Sequence, residues 1–359
     1  MTDTSEYSKF LSNNTELSGS QVQGRALDPV PREFVVWAYR LFLDREPDND
    51  AVADEMAQTM KNSWQVRKSF MESSEFQIKN NWAPSPKPAH LRKPLVVEDE
   101  LPPEQLALML AHIKETWSRL GDTEPYWSVL SAEQFKSDRI EFALAEFKES
   151  GRMEVEMQIR ALERNGVDLD AIRTCLEYGC GVGRVTRWLA EKFKHVYGYD
   201  ISASHLQLAK SYLDENGKGN VELRLISEVS ELDRLPMVDF VYSMIVLQHN
   251  PPPVISIAIR KLLECLAPGG VAFFQVPTYR EGYRFVSQEY LKRHVAASRG
   301  ENHIEMHLLP QCRIFELIAR SGCTPLEVLE DNWAGPGYVS HTFVVQRPAG
   351  SGDISDGEA

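Results

Sequence analysis

Thr174-Cys175-Leu176-Glu177-Tyr178-Gly179-Cys180-Gly181-Val182-Gly183-Arg184 decides the fold. An apolar run ends on an acidic residue, turns through glycine at every second position, and then opens a helix. Glycine removes the side chains that would hold a ligand off the backbone, and the N–H groups at a helix start point into the gap. Val196-Tyr197-Gly198-Tyr199-Asp200 follows as a second short strand that delivers a carboxylate to its tip. This pairing suits a nucleoside ligand, with the glycines at its sulfonium or phosphate end and Asp200 at the ribose hydroxyls.

Which nucleoside is decided by glycine spacing. A dinucleotide site shows G-x-G-x-x-G. Here Arg184 holds the third glycine's place and Gly183 falls one residue earlier. That spacing disfavours a nicotinamide-dependent oxidoreductase, which stays as a competing reading beside a non-catalytic nucleoside-binding or scaffold protein of the same fold. Downstream, strand patterns at 173–178, 195–200, 221–226, 238–244 and 271–276 alternate with helices from Gly183, from Ser204 and over Pro252–Leu266. Such alternation predicts parallel βαβ units. Pro268-Gly269-Gly270 reads as a sharp turn, 311–321 as a final helix, and 325–331 and 338–347 as closing strands.

The set Glu177, the glycine loop, Asp200, Asp239-Phe240-Val241-Tyr242-Ser243 and Leu266-Ala267-Pro268-Gly269-Gly270 resembles the class I S-adenosylmethionine-dependent methyltransferases, over Thr174 to Gln346. The resemblance implies an α/β, Rossmann-like seven-stranded sheet, mostly parallel, with the last strand antiparallel beside the fifth. It implies S-adenosyl-L-methionine as cofactor. By motif position Gly179, Cys180, Gly181 and Gly183 line the methionine and sulfonium end, and Glu177 lies near the methionine amino group. Asp200 takes the ribose hydroxyls, Ile201 packs on adenine, and Ser243 closes the fourth strand beside the cofactor. Glu228 occupies the adenine-amine position, where an aspartate is commoner. Nothing beside Cys180 marks it as a thiolate, so it reads as a small turn residue.

The acceptor side is read from two later segments. His249 lies just past the fourth strand, at the face where open α/β sheets bind ligands, and histidine titrates near neutrality. It is either a base or acceptor-orienting group, or a brace for the following helix. The insert 278–310 is too long for a simple loop; in the family such an insert shapes the acceptor pocket, and Tyr279, Glu305 and His307 are its candidate polar contacts. His303, Glu305 and His307 alternate, which fits one face of a strand, so no metal is assigned. The expected acceptor is a small molecule or sugar methylated on oxygen.

The remaining chain supplies context. Its formal net charge of -13 leaves no basic surplus for nucleic acid or an anionic membrane. No apolar run approaches a membrane span. Met1–Glu6 lacks signal-peptide features and the five cysteines show no pairing pattern, so a cytoplasmic location is expected. Oligomeric state is unreadable. Residues 1–28 read as a disordered leader and 29–81 as a helical module, with Asp50 and Ser63 as its expected caps. Tyr39–Asp48 and Phe70–Phe76 resemble a bacterial domain of unknown function with the phycobilisome linker fold, often found with surface-glycan proteins; bacterial surface-glycan synthesis is the setting that this implies. Residues 82–103 read as a proline-rich linker, 104–170 as a helical cover with Trp117, Tyr126 and Trp127 as lid candidates, and 349–359 as a disordered tail. The methyltransferase domain spans 104–348.

Overall fold

The computed structural model describes residues 30–79, 92–296 and 304–349. The expected leader, much of the linker, His303 and nearly all of the tail lie outside them. The chain divides into two compact units, Met1–Ser85 and Pro86–Ala359. Among the described residues no helix is long and apolar enough to cross a membrane.

The first unit contains α1 (Arg32–Leu43), α2 (Asp50–Thr59), α3 (Ser63–Glu72) and α4 (Ser74–Lys79). Val35, Ala38, Tyr39 and Leu43 share one face of α1 and bury against Ala53, Val66 and Phe70. Each expected cap is displaced by one residue. Asn49 Oδ1 accepts from Val52 N at 3.1 Å and Asn62 Oδ1 from Gln65 N at 3.0 Å, because asparagine in extended backbone reaches the third amide as well as Asp50 or Ser63 would. The two motif segments meet where the Arg45 guanidinium clasps both carboxylate oxygens of Glu75.

The second unit is a three-layer α/β domain. Its elements are β1 (Val96–Val97), α5 (Pro103–Thr123), α6 (Ile140–Arg164), β2 (Thr174–Tyr178), α7 (Thr186–Lys192), β3 (His195–Asp200), α8 (Ala203–Glu215), β4 (Val221–Leu225) and β5 (Val238–Ser243). They continue with α9 (Pro252–Glu264), β6 (Leu266–Arg280), β7 (Arg284–Phe285), α10 (Ser287–Ala296), α11 (Gln311–Arg320), β8 (Thr324–Asp331) and β9 (Tyr338–Gln346). The large sheet has the order β4-β3-β2-β5-β6-β9-β8, with β9 antiparallel between β6 and β8. This is the expected seven-stranded arrangement, with the reversed last strand beside the fifth.

Successive strand residues face opposite layers. Leu176, Tyr178 and Val241 join Met109, Leu110 and Ile113 of α5. Cys175, Phe240 and Tyr242 join Val155, Ala161 and Leu162 of α6. Helix α6 is continuous through Gly151, whose missing Cβ lets it approach the turn after β2: one placed there would stand 2.2 Å from the Arg184 carbonyl oxygen. The helix therefore lies directly on the glycine loop.

Three boundaries differ from the sequence reading. The helix after the loop begins at Thr186, not Gly183, because Gly179, Gly181 and Gly183 all have positive φ and keep the chain in a turn. Strand β6 begins at Leu266, which pairs with Val238 of β5, and Gly269 N and Gly270 O bond to Arg347 O and N where a turn was expected; the register against β5 shifts between Leu266 and Val271. Much of the described part of the expected linker is built into this unit. Val96 and Val97 pair with Arg284 and Phe285, and Asp99 accepts from Ser256 Oγ and Arg313 Nε at 2.9 and 3.0 Å.

Candidate functional site

A cavity opens at the carboxyl ends of β2, β3 and β5, the ligand edge of an open α/β sheet. Strand β2 brings Glu177 and Tyr178, and the turn after it brings Gly179, Cys180 and Gly181. The turn is pinned by the next strand: Gly179 N and Cys180 N both donate to Tyr199 O, at 2.7 and 3.0 Å. Asp200 Oδ2 accepts from Gly181 N at 2.7 Å and Oδ1 from Ser202 N at 2.8 Å. Each oxygen keeps a further lone pair, which suits a vicinal diol. Ile201 and Ile226 supply apolar surface beside it.

The opposite wall of the cradle carries charge. Glu177 is fully enclosed, and burial pushes its carboxyl up to about 8 although the Thr186 hydroxyl donates to it at 2.6 Å. Glu154 of α6 accepts from both Arg184 and Tyr242. Arg184 Nη1 also donates to Ser150 at 3.1 Å, while its buried Nε has no partner among the described residues. A protonated acid awaiting a cation and an arginine N–H awaiting an acceptor are what the two charges of an α-amino-acid end would satisfy. These residues fit S-adenosylmethionine.

The outer end is walled by Trp117, His205, Val246, His249 and Asn250. The Trp117 ring lies 5.3 Å from that of His249. His249 Nδ1 stands 2.9 Å from Glu305 O, and a carbonyl oxygen can only accept. Nδ1 therefore carries the proton and Nε2 is the accepting nitrogen, with the Gln248 amide Nε2 3.4 Å from it. Burial depresses the His249 pKa to about 4, which keeps the ring neutral. Ile245, a β-branched residue at φ 58°, holds this wall in a strained turn, with its N–H donating to Gln275 Oε1 at 3.2 Å.

The Glu305 side chain points into its own cluster. His307 Nε2 meets Oε2 at 2.8 Å and the Tyr290 hydroxyl donates to it at 3.0 Å, while His112 Nε2 and His294 Nε2 stand 3.3 and 3.2 Å from Oε1. Burial opposes ionisation of Glu305, but the histidine donors outweigh it and hold the carboxyl well below its ordinary range.

The cavity thus gathers Glu177, Gly179, Cys180, Gly181, Asp200, Ile201 and His249. It does not gather six other candidates, of which Glu305 keeps its side chain in the separate cluster described above. Gly183 packs on Ala209, serving the turn. Ser243 is buried between strands, donating to Tyr178 O at 3.1 Å. Glu228 is exposed, accepts from Ser230 at 2.6 Å, and lines a separate groove with Leu110 and Lys114. Tyr279 follows a register shift in β6 that leaves its hydroxyl beside Lys93 N and Glu281. His307 holds the Glu305 carboxylate. Of the lid candidates, Trp117 lines the cavity, whereas Tyr126 packs edge-on against Phe147; Trp127 is not among the lining residues. Sequence reasoning missed Glu154 and His205. A glycine inside a long amphipathic helix, Gly151, was the available signal that α6 approaches the loop.

Residues 175–270 match the family model described as Methyltransferase domain. Together with the strand order and the glycine cradle, the match makes this segment a class I S-adenosylmethionine-dependent methyltransferase domain. Among curated relatives, the ubiquinone biosynthesis O-methyltransferase of Pseudomonas fluorescens (strain Pf0-1) is 31% identical over 38% of this chain and 58% of its own length. Its counterpart in strain Pf-5 is 33% identical over the same shares. The chain thus spans a little over half the length of the curated relatives it matches. Among solved structures, magnesium protoporphyrin IX methyltransferase from Synechocystis PCC 6803 with bound SAH is 18% identical, covering 66% of this chain and 99% of that one, with a TM-score of 0.45.

Proposed function

We propose that the chain transfers a methyl group from S-adenosylmethionine to a hydroxyl of a small-molecule acceptor. The single observation that carries this is the shared cavity: a carboxylate with free lone pairs and an amino-acid-binding pair at one end, and a neutral histidine at the other. When bound, the cofactor supplies an electrophilic methyl on a sulfonium. The chain's own residues do the rest. Asp200 and the glycine turn fix the nucleoside, Glu177 and Arg184 hold its amino-acid end, and Trp117 narrows the mouth against water. Positioning supplies most of the acceleration in an in-line transfer. His249 Nε2 accepts the acceptor's hydroxyl proton, with Nδ1–H fixed on Glu305 O. A lone pair held on a nitrogen of low basicity orients the hydroxyl and takes its proton as the C–O bond forms.

Oxygen as the methylated atom is supported by the relatives, which are named O-methyltransferases. A sugar acceptor, and with it surface-glycan synthesis, rests on the likeness of the helical module and on a family-level likeness around Val246–Asn250 and Phe274–Tyr279. Calorimetry with S-adenosylmethionine, S-adenosylhomocysteine and NAD tests the cofactor: the first two are expected to bind, and binding of NAD alone overturns the reading. Labelled-methyl transfer to a panel of phenols and nucleotide sugars then separates the acceptor classes.

A further inference from the structure

His112 on α5, His294 on α10 and Glu305 come from three separate segments, yet the nitrogens of the two rings and a carboxylate oxygen lie within 4.8 Å of one another. Their spacing differs from that of ordinary hydrogen bonds nearby. His307 Nε2 meets the other oxygen of the same carboxylate at 2.8 Å, the usual length of a charge-assisted bond. His112 and His294 stand off at 3.3 and 3.2 Å. Four ligands at roughly 2.0–2.1 Å around a tetrahedral ion lie about 3.3 Å apart.

The division of labour on Glu305 points the same way. Oε2 is occupied by the Tyr290 hydroxyl and by His307, whose Nδ1 is itself tied to Tyr283 at 2.9 Å. Such outer partners orient a ligating carboxylate. Oε1 is left facing two imidazole nitrogens. Two histidines and one carboxylate form a three-ligand set for zinc-class ions with a fourth position open. All three side chains keep partial exposure, between 19 and 29%, so an ion has a path in.

We infer that His112, His294 and Glu305 form a binding site for one divalent transition-metal ion of the zinc class. The ion would tie the insert helix α10 and the 304–307 segment to the cover helix α5. Because Glu305 O also receives His249 Nδ1–H, the site would fix the wall that carries the cavity histidine. This metal reading uses a different pair of histidines from the alternating set in the sequence. It stands independently of methyl transfer, and its test uses no cofactor.

The test uses the full chain without an affinity tag, stripped by chelator and dialysed against Zn2+. One equivalent is expected, with a rise in melting temperature. Glu305→Gln and the pair His112→Ala/His294→Ala should weaken binding at least about a hundredfold, and Tyr290→Phe about tenfold. Cys312→Ser, which removes the exposed thiol, should leave it unchanged. Should the double variant not fold, Co2+ bound to the native chain decides: an intense visible d–d spectrum of tetrahedral nitrogen and oxygen ligation supports the site. A sulfur charge-transfer band, an aqua-type spectrum, stoichiometry well under one, or full binding by the folded double variant overturns it.

Discussion

At the nucleoside end of the cavity the backbone does most of the work. Gly179, Cys180 and Gly181 present main chain, and their N–H groups are spent on Tyr199 O and Asp200 within about two dozen residues of sequence. At the acceptor end, side chains do it. Trp117, His205 and His249 come from three distant segments, and the orientation of His249 depends on Glu305, 56 residues away. A backbone cradle tolerates few residue types because each lost glycine meets a neighbour or a positive φ. A side-chain wall can be rebuilt for another acceptor without disturbing the cradle. One sheet edge can therefore keep its cofactor end while its acceptor end changes.

The sharpest way to break this contrast is at Asp200. Asp200→Ala removes the acceptor of two backbone N–H groups and the proposed ribose contacts. It should weaken S-adenosylhomocysteine binding by about 1.5–3 kcal/mol, roughly ten- to a hundredfold, in calorimetry. Unchanged affinity would show that the loop holds the nucleoside without it.

At the other end the expected effect is on stability. An unfolded histidine takes up its proton near pH 6.5, whereas His249 does so near 4 in the fold. Between those values the unfolded chain binds more protons, so the contribution of His249 is lost as pH falls. His249→Gln should lose about 2 kcal/mol less than the native chain between pH 7 and 5, read from denaturant melts. Parallel slopes would mean that the ring is solvated.

Glu177 couples the cofactor end to protonation. Its carboxyl titrates near 8 in the free cavity, and an incoming ammonium favours the ionised form. Cofactor binding should release a proton below pH 8, with affinity rising by up to about tenfold per pH unit toward that value. Buffer-dependent binding enthalpies measure the release, and Glu177→Gln should abolish it.

The smallest effect is expected at Tyr279, outside the cavity. Tyr279→Phe should change stability by no more than about 0.5 kcal/mol and leave turnover in place. A large loss of turnover would return that residue to the acceptor site.

How much of this was legible depended on the length scale of each signal. The strands, the glycine turn and Asp200 follow from patterns of period two and from spacings within one βαβ unit, and the sheet order from the resemblance that those motifs carry. Glu228 lies outside the cavity because a motif position gives a place in the chain and not a direction: Ile226, two residues earlier, faces the cavity instead. Tyr279 lies outside it because a register shift in β6 falls between it and Pro277. The cap positions failed by one residue because asparagine competes with its neighbours for the same amide. The His112–His294–Glu305 cluster had no local signature, since its members lie 182 and 11 residues apart in sequence.

The sequence by itself determined the nucleoside-binding sheet, because hydrogen bonding within strands and positive-φ turns are local properties of residue type. Only the tertiary structure decided the rest. It placed Glu154 against Arg184, turned His249 into a neutral ring by burial and a carbonyl, and left Glu305 facing two histidines. Burial and convergence of side chains are properties of the packed chain, and no short stretch of sequence encodes them.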